Sequence, residues 1–377
     1  MSKKTVVLII PTYNEAENIE KSISVVFNSF PKSKNFNCLI LVADDSSPDG
    51  TAQIVRKLIS TNKNLYLVVQ KEKNGLGPAY YNAMNYAFNE LNADYVFEFD
   101  ADLSHDPKKI PEFINKTTEG FDYIIGTRYL EGGKIPSNWG FYRKFLSVGG
   151  NLFIRVLFLT NKISDWTSGY KLISRKVFKS LGKEPFMQKG YTFQIAVSKK
   201  VLSKGYKIVE IPYEFVDRKK GESKLGAGFI IYTFIYVVKS RIIDFISSSF
   251  FKVCLVGTVG AAVQIITFYS IEKNLPTHLA LNISIFLAIV SNYLLNNIFS
   301  FRDRMMRGFG ALIKKFPAFL LVSLGSVVIQ NIVMSLGLFF WVETSLHKNV
   351  LNVVGILIGL VFNFTLYNKV IWKKEKK

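Results

Sequence analysis

Residues 96–107, VFEFDADLSHDP, end an apolar run with two carboxylates, Asp100 and Asp102, placed one residue apart. Residues i and i+2 of an extended segment point to the same side, so we expect these two side chains to lie together. Two like charges in one place cost stability unless a cation lies between them. The HDP that follows is also good turn chemistry, and a solvated turn is the plainer interpretation. A divalent-metal site is the alternative, and the context of the segment has to distinguish the two.

Other apolar runs in the first half of the chain share this organisation. TVVLII, CLILVADD, LYLVV and DYVFEF each lead into a polar loop, and helical sequence follows. Near-continuous apolar strands that alternate with helices predict a parallel sheet covered on both faces. Such sheets bind ligands beyond the carboxyl ends of their strands, so the acidic loops should converge on one site. In the loop SSPDGT, Asp49 and Gly50 predict a turn and Thr51 predicts a cap for the next helix.

Several common kinds of site are disfavoured by what the chain lacks. No GxGxxG follows the first strand, GLG at residues 75–77 is a fragment of one at best, and there is no P-loop. A hydride-transfer enzyme is therefore disfavoured. The chain has two cysteines, Cys38 and Cys254, and three histidines, His105, His278 and His347, which together form no metal or redox pattern. The two cysteines are expected to be buried thiols.

The chain has 377 residues, enough for two domains, and a formal net charge of +20. Its basic residues form no recognisable nucleic-acid motif, so lipid headgroups and phosphorylated substrates are the favoured partners rather than nucleic acid. The N-terminal apolar run is too short for a signal peptide and breaks at Pro11.

From Ala227 onward the composition is that of a membrane protein. Residues 227–249 are apolar but interrupted by charges, which predicts an amphipathic helix lying in the membrane interface. Four charge-free stretches follow, each near the roughly 20 residues needed to cross a bilayer. These predicted spans are residues 253–271, 279–301, 316–342 and 350–368.

The loops between the spans predict an orientation. The loop at residues 302–315 is strongly basic and the chain ends in KKEKK, whereas the other two connections carry one lysine each. Positive-inside bias then predicts that the N-terminal half and the C-terminus lie on the cytoplasmic side of a cell membrane.

The spans also look like a duplicated two-helix hairpin. NYLLNNIFSFR at residues 292–302 matches NFTLYNKVIWK at 363–373, which pairs Asn297 with Asn368 and Phe301 with Trp372. Polar side chains inside a span are costly in lipid, and joining helices is the favoured interpretation of these asparagines.

Eight motifs together resemble the dolichyl-phosphate mannose synthase group of family 2 glycosyltransferases, over roughly residues 6–225. In order they are PTYNE, DDSSPDGT, GLGPAYYNA, FDADLSHDP, GTRY, SGYKLISR, KGYTFQ and DRKKGESKL. The four-span tail is similar to the GtrA-like membrane domain that is often fused to such enzymes.

The resemblance implies a GT-A fold, an α/β Rossmann-like catalytic domain with a mostly parallel sheet, and an all-α membrane domain with four transmembrane helices. The implied domains are residues 1–226, the interfacial helix 227–249, and the membrane domain 250–377. The implied reaction is inverting transfer of mannose from GDP-mannose to a polyprenyl (dolichyl-type) phosphate, with Mg²⁺ or Mn²⁺ as the cofactor. The implied partners are these substrates and the lipid bilayer, and a homo-oligomer is compatible with the sequence.

The same resemblance assigns residues to roles. The nucleotide-sugar set is Pro11, Tyr13, Glu15, Val42, Asp44, Asp100, Ala101, Asp102, Ser104, Arg128, Arg218 and Lys224. The acceptor-phosphate set is Arg128, Arg143, Ser147 and Arg218, and the catalytic set is Asp100, Asp102, Arg128 and Arg218. The metal set is Asp100, Asp102 and Ser104, although some members carry Gln in place of Ser104 and a hydroxyl is a weaker ligand. Asp165 matches a position where related enzymes place a base, but a lipid phosphate is already anionic and needs none.

Two other functions stay open from the sequence. The donor can instead be UDP-glucose or another UDP-sugar, which would make the protein a polyprenyl-phosphate glucosyltransferase. The membrane domain can also act as a glycolipid flippase, although anchoring is favoured. A processive polysaccharide synthase is disfavoured because no QxxRW follows the acidic motifs.

Overall fold

The structure is a computed structural model that describes residues 3–70, 75–217, 227–340 and 344–373. Arg218 and Lys224, both assigned to the donor site by the resemblance, lie outside the described residues. The chain divides into two compact units, Met1–Lys239 and Ser240–Lys377, which are described separately. The finer domain boundaries predicted at residues 226 and 249 stay predictions.

The first unit alternates strands and helices, as the apolar runs predict. Its strands are β1 Lys4–Thr12, β2 Phe36–Asp44, β3 Leu65–Val69, β4 Tyr95–Glu98, β5 Tyr123–Thr127, β6 Lys171–Ser174 and β7 Ile208–Pro212. Its helices are α1 Ile19–Ser29, α2 Thr51–Ile59, α3 Leu76–Asn89, α4 Ile110–Lys116, α5 Phe141–Leu157, α6 Arg175–Leu181 and α7 Thr192–Ser203. The next helix, α8 Ala227–Ser247, covers most of the predicted interfacial segment. Its position in a membrane interface stays a prediction.

In the described part of this unit, seven strands form one sheet with the order β3-β2-β1-β4-β6-β5-β7. All neighbouring strands are parallel except at β6, which runs antiparallel to both β4 and β5. The predicted α/β class with a mostly parallel sheet is thereby confirmed. The carboxyl ends of β1, β2, β4 and β5 lie at one edge, because these strands share one direction.

Both faces of the sheet are covered, which explains why the strands are apolar throughout. Successive side chains of a strand point to opposite faces. Accordingly, Val7 and Ile9 of β1 belong to one core with α3 and α7, and Leu8 and Ile10 belong to the other with α1 and α4. Burial of both faces holds the strand ends, and therefore the acidic loops, in fixed positions.

Gly77 in the first turn of α3 allows a close approach that fixes this helix on the unit. A Cβ built at Gly77 would collide with the backbone carbonyl oxygen of Phe186 and lie 3.1 Å from the Cβ of Phe193. Backbone cannot move aside as a flexible side chain can. The GLG sequence therefore has a packing role here, which agrees with the absence of a dinucleotide fingerprint.

We predict that Gly77→Ala lowers the free energy of unfolding by about 1–3 kcal/mol, because the added methyl group overpacks a rigid contact. Gly150→Ala in α5 is the matched control, since nothing lies within 4 Å of a Cβ built there. The control should be neutral or stabilising by about 0.5–1 kcal/mol. Thermal melting of the purified full-length proteins in detergent compares the two, and equal melting temperatures would contradict the packing role.

The second unit is helical. Its helices are α9 Ser249–Ile271, α10 Thr277–Leu295, α11 Phe309–Phe340 and α12 Ser345–Leu366. Four described helices or helical stretches are long and apolar enough to cross a membrane: Ser249–Ile271, Thr277–Ser300, Phe309–Phe340 and Ser345–Ile371. The prediction of four spans is confirmed. Helix α11 begins at Phe309 and includes Lys314 and Lys315, so it is longer than the predicted third span, whose start at residue 316 stays a prediction.

The two helix pairs of this unit end alike, in agreement with the duplication seen in the sequence. A short π-helical segment follows α10 at Asn296–Ser300, and another follows α12 at Tyr367–Ile371. Phe301 and Trp372, which occupy matching positions in the repeat, stack with ring centroids 4.5 Å apart. The Trp372 indole N–H donates to Asn297 Oδ1 at 3.0 Å, so this asparagine does join segments as expected.

Candidate functional site

The loops after β1 and β2 are tied to each other at the carboxyl edge of the sheet. Fully buried Asp44 accepts hydrogen bonds from the Thr12 hydroxyl and from the Ser47 amide, both at 2.9 Å. The Glu15 amide donates to the Thr51 hydroxyl at 3.0 Å. The predicted cap at Thr51 is therefore wrong. Gly50 is the N-cap residue of α2, and the Thr51 hydroxyl instead holds the two loops together.

These two loops carry the first candidate residues of the nucleotide-sugar set. Pro11 lies near the end of β1 opposite Ala43 and is partly exposed, and Val42 is fully buried within β2. Tyr13 and Glu15 lie in the loop itself and are partly exposed. Pro11, Tyr13 and Glu15 therefore present side chains at the surface of the site, whereas Val42 and Asp44 support it from within.

The segment after β4 turns sharply around Asp100 and Asp102. The Asp102 carboxylate accepts from the Ser104 amide at 3.0 Å, which makes a local turn of the kind that HDP chemistry predicts. Leu103 between them has a positive φ of 55°, and positive φ values recur at Asn14 and Ser46 in the neighbouring loops. Such backbone conformations cost about 1–3 kcal/mol each and are concentrated at functional sites.

His105 supports Asp100 from below. Its Nδ1 accepts from the Asp100 amide at 3.3 Å, its Nε2 lies 3.6 Å from the Asp100 carboxylate, and its ring stacks on Tyr170 at 4.7 Å. Burial lowers the pKa of His105 to about 4, so the ring is neutral near pH 7. The sequence drew attention to this histidine only as part of a turn, and no local signal marks it as a support for Asp100.

The carboxylate oxygens at this turn are suitable ligands for a divalent ion that also binds a phosphate group. Asp100 and Asp102 are both partly exposed, whereas Ala101 and Ser104 are buried at 3% and 2% exposure. Within the described ranges, no three His, Cys, Asp or Glu side chains come together to hold a metal. Mg²⁺ typically takes one or two carboxylates and completes its shell with water and substrate phosphates. Two carboxylates are enough for that kind of site.

Arg128 and Asp165 form a buried ion pair next to this turn. Arg128 donates from Nε and Nη2 to the two Asp165 oxygens at 2.7 and 2.9 Å. Burial lowers the pKa of Arg128, but the Asp165 charge more than reverses this, and the pKa ends above its ordinary value. Because both Asp165 oxygens already accept hydrogen bonds, this carboxylate orients the guanidinium and is poorly placed to act as a base.

A chain of hydrogen bonds links this ion pair to α5. Arg128 donates to the Thr167 hydroxyl at 2.9 Å, and Asn151 of α5 donates to the same hydroxyl at 3.4 Å. Asn151 also donates to the Tyr129 hydroxyl at 3.3 Å, which in turn shares a 2.6 Å hydrogen bond with Ser147. Two members of the predicted acceptor-phosphate set, Arg128 and Ser147, are thereby part of one network.

Arg143, the remaining described member of that set, lies one turn before Ser147 on α5. Its guanidinium forms a bidentate ion pair with Asp217 at 3.0 and 3.3 Å and lies over the Trp139 ring. Asp217 and Trp139 are 78 residues apart, and no sequence motif assigned either of them a role.

A second set of buried polar groups lies under the turn. Gln194 of α7 donates to Glu98 at 2.5 Å, and Lys171 donates to the Gln194 side chain at 2.6 Å. Burial raises the pKa of Glu98 to about 7 and lowers that of Lys171 to about 8. Glu98 inside an apolar strand is the only sequence signal for this group, and no pattern predicted its partners.

The amino-acid sequence is similar to known protein families and to known proteins. Residues 7–182 match Glycosyl transferase family 2, and residues 252–372 match the GtrA/DPMS transmembrane domain. The chain is 30% identical over 367 residues to a dolichol-phosphate mannosyltransferase of Pyrococcus furiosus. This match covers 97% of this chain and 98% of that protein. It is 33% identical over 225 residues to an undecaprenyl-phosphate mannosyltransferase of Micrococcus luteus, covering 60% and 89% respectively.

Among solved structures, the chain is similar to glucosyl-3-phosphoglycerate synthase from Mycobacterium tuberculosis in complex with UDP. The TM-score is 0.47 at 18% identity, and the match covers 63% of this chain and 80% of that one. The chain belongs to the polyprenyl-phosphate mannosyltransferase group of family 2 glycosyltransferases, with a GtrA/DPMS transmembrane domain at its C-terminal end. The resemblance seen in the sequence motifs is confirmed, and so is the mostly parallel α/β fold that it implies.

We predict that Asp165→Asn lowers the free energy of unfolding by about 3–5 kcal/mol, because it leaves a buried guanidinium without its counter-charge. Glu119→Gln, which removes the carboxylate of the exposed Lys116–Glu119 pair, is the control and should cost at most about 1 kcal/mol. Chemical denaturation followed by tryptophan fluorescence measures both. An Asp165→Asn protein as stable as the control would show that the pair contributes little.

Proposed function

We propose that this protein transfers mannose from GDP-mannose to a polyprenyl phosphate with inversion, aided by Mg²⁺ or Mn²⁺. The product is a polyprenyl-phosphate mannose. The donor binds over the loops after β1, β2 and β4, and the acceptor phosphate binds between Arg128 and the first turns of α5.

The chemistry of α5 is the observation that best supports this proposal. Arg143 and Ser147 lie one turn apart on this helix, where a phosphate group can meet a guanidinium and a hydroxyl. The same helix exposes large apolar side chains, with Phe141 at 85%, Phe145 at 62% and Val156 at 60% exposure. An acceptor that carries both an anionic phosphate and a long apolar chain fits such a helix, and a soluble sugar phosphate would leave the apolar side chains without a partner.

The donor assignment is supported by the acidic turn and by the relatives. A nucleoside diphosphate leaves with negative charge, and two partly exposed carboxylates suit the ion that accompanies such a group. The proteins of Pyrococcus furiosus and Micrococcus luteus are both mannosyltransferases by name, which favours mannose over glucose.

The residues of the chain contribute positioning and electrostatics to this reaction. The acceptor phosphate is already an anion at neutral pH, so the nucleophilic oxygen needs no base. Arg128, fixed by Asp165, and Arg143 hold the acceptor phosphate so that its oxygen faces the sugar carbon. A bound divalent ion would supply positive charge that stabilises the departing diphosphate. The acceptor oxygen attacks the sugar carbon from the face opposite to the leaving diphosphate, and this inverts the configuration at that carbon.

The membrane unit is proposed to keep the catalytic unit beside its lipid acceptor. The four candidate membrane helices found among the described residues support a location in a cell membrane. The basic loop at residues 302–315 supports a cytoplasmic position for the catalytic unit and the C-terminus.

The proposal is tested by incubating the purified full-length protein with Mg²⁺, a polyprenyl phosphate and one donor at a time. The donors are GDP-mannose, UDP-glucose and UDP-N-acetylglucosamine, and the glycolipid is detected by mass spectrometry. Product from GDP-mannose alone is expected. Product only from a UDP-sugar would overturn the mannose assignment but keep the acceptor, and no product from any donor would overturn the transferase.

We predict that Asp102→Asn lowers the transfer rate at least about 100-fold and weakens Mn²⁺ binding, because the acidic turn loses half of its charge. Electron paramagnetic resonance of Mn²⁺ reports binding independently of activity. Glu112→Gln, at an exposed position that pairs with Lys109, should change neither quantity. Near-full activity of the Asp102→Asn protein with purified substrates would contradict the metal role.

A further inference from the structure

Asp217 lies where the extended segment after β7 meets the first turn of α5. Its two carboxylate oxygens accept from Arg143 Nη2 and Nη1 at 3.0 and 3.3 Å. The guanidinium carbon lies 3.9 Å from the centroid of the Trp139 ring. One edge of the guanidinium and one of its faces are therefore already occupied by protein groups.

Asp217 is itself held in place by contacts that do not involve Arg143. The Trp139 indole N–H donates to Asp217 Oδ2 at 2.8 Å, and this indole is only 7% exposed and packs edge-on against Phe215. The carboxylate is thus fixed by a buried ring. The carboxylate therefore has a second partner besides Arg143.

The segment that carries Asp217 is also joined to the donor side of the site. The Val216 amide donates to the Ser104 carbonyl at 3.2 Å, and the Phe215 amide donates to the Lys134 carbonyl at 3.0 Å. Ser104 belongs to the turn of Asp100 and Asp102. The same extended segment therefore contacts both the acidic turn and the basic first turn of α5.

Arg143 keeps free binding capacity in this arrangement. A guanidinium has five N–H groups, and the bidentate pair with Asp217 uses two of them. Its side chain is 43% exposed, so the remaining N–H groups are accessible to an anion. A long arginine side chain on a helix surface otherwise has many rotamers, and ordering it on binding weakens affinity.

We propose that Asp217 is a positioning residue, which, together with Trp139, holds the Arg143 guanidinium ready for the phosphate of the lipid acceptor. This inference rests on the proposed function, because it takes Arg143 as a contact of the acceptor phosphate. Arg143 is then ordered before the acceptor arrives. The opposite role, in which Asp217 competes with the phosphate for Arg143, predicts the opposite change in acceptor affinity.

The test measures the KM for a polyprenyl phosphate and the KM for GDP-mannose on the full-length protein with Asp217→Asn. Asparagine keeps an oxygen that can accept from the Trp139 indole, but it loses the charge and the second oxygen that bind Arg143. We expect the acceptor KM to rise about 3- to 10-fold, with the donor KM and the melting temperature unchanged. An unchanged or lower acceptor KM would overturn the proposal, and a lower value would indicate competition.

Glu214→Gln is the matched control. Glu214 lies on the same segment and forms an exposed ion pair with Lys134, away from Arg143. This variant removes one negative charge near the site without touching the guanidinium, so both KM values should equal those of the wild type. If its acceptor KM rises as much as that of Asp217→Asn, the effect belongs to general charge and the positioning role is wrong.

A double-mutant cycle with Arg143→Lys separates this proposal from the proposed function. If Asp217 acts through Arg143, Asp217→Asn should raise the acceptor KM no further once Arg143 is replaced. Additive effects would overturn the positioning role while leaving the acceptor site in place. If Arg143→Lys alone leaves the acceptor KM unchanged, the assignment of Arg143 to the phosphate fails, and the proposal for Asp217 fails with it.

Discussion

The site depends on one reversed strand. β6 runs antiparallel between β4 and β5, so Lys171 at its start pairs with Glu98 near the end of β4 and with Ile125 in β5. A strand parallel to its neighbours would enter the sheet at the opposite edge. Because β6 is reversed, the segment leading into it passes over the edge where the acidic loops lie. Asp165 on that segment can therefore reach Arg128, which follows β5.

The charges around this edge show how the fold prepares for anionic ligands. Burying a guanidinium and a carboxylate costs desolvation free energy, and their attraction offsets this cost only when the geometry is good. Arg128 and Asp165 meet this requirement with two hydrogen bonds shorter than 3 Å. The pair fixes a cationic group in a defined orientation, which is useful when two phosphate-bearing substrates must be brought together. Arg143 is more exposed, and it is ordered instead by contacts across the surface.

The membrane unit is built from a repeated two-helix element. Two hairpins of similar sequence bring their matching ends together, where Phe301 and Trp372 stack and Arg304 donates to the Trp372 carbonyl at 2.7 Å. Small residues allow close helix contact, and a Cβ at Gly355 would lie 3.2 Å from the backbone of Gln330. Polar side chains, which are costly inside a membrane span, lie where the ends of the two hairpins meet. Asn297 and Asn368 both make hydrogen bonds there.

The sequence by itself determined the first four strands, the edge at which the acidic loops lie, the number of candidate membrane spans and the family. These features follow from local patterns, since apolar runs, turn residues and short motifs are read within a few positions of one another. It was less reliable at boundaries, because the predicted loop at residues 302–315 is partly helical and α11 already begins at Phe309. Only the tertiary structure decided the reversal of β6, the support of Asp100 by His105, and the pairing of Arg143 with Asp217. Arg143 and Asp217 are 74 residues apart, and their contact depends on sheet order and helix placement, which no local pattern encodes.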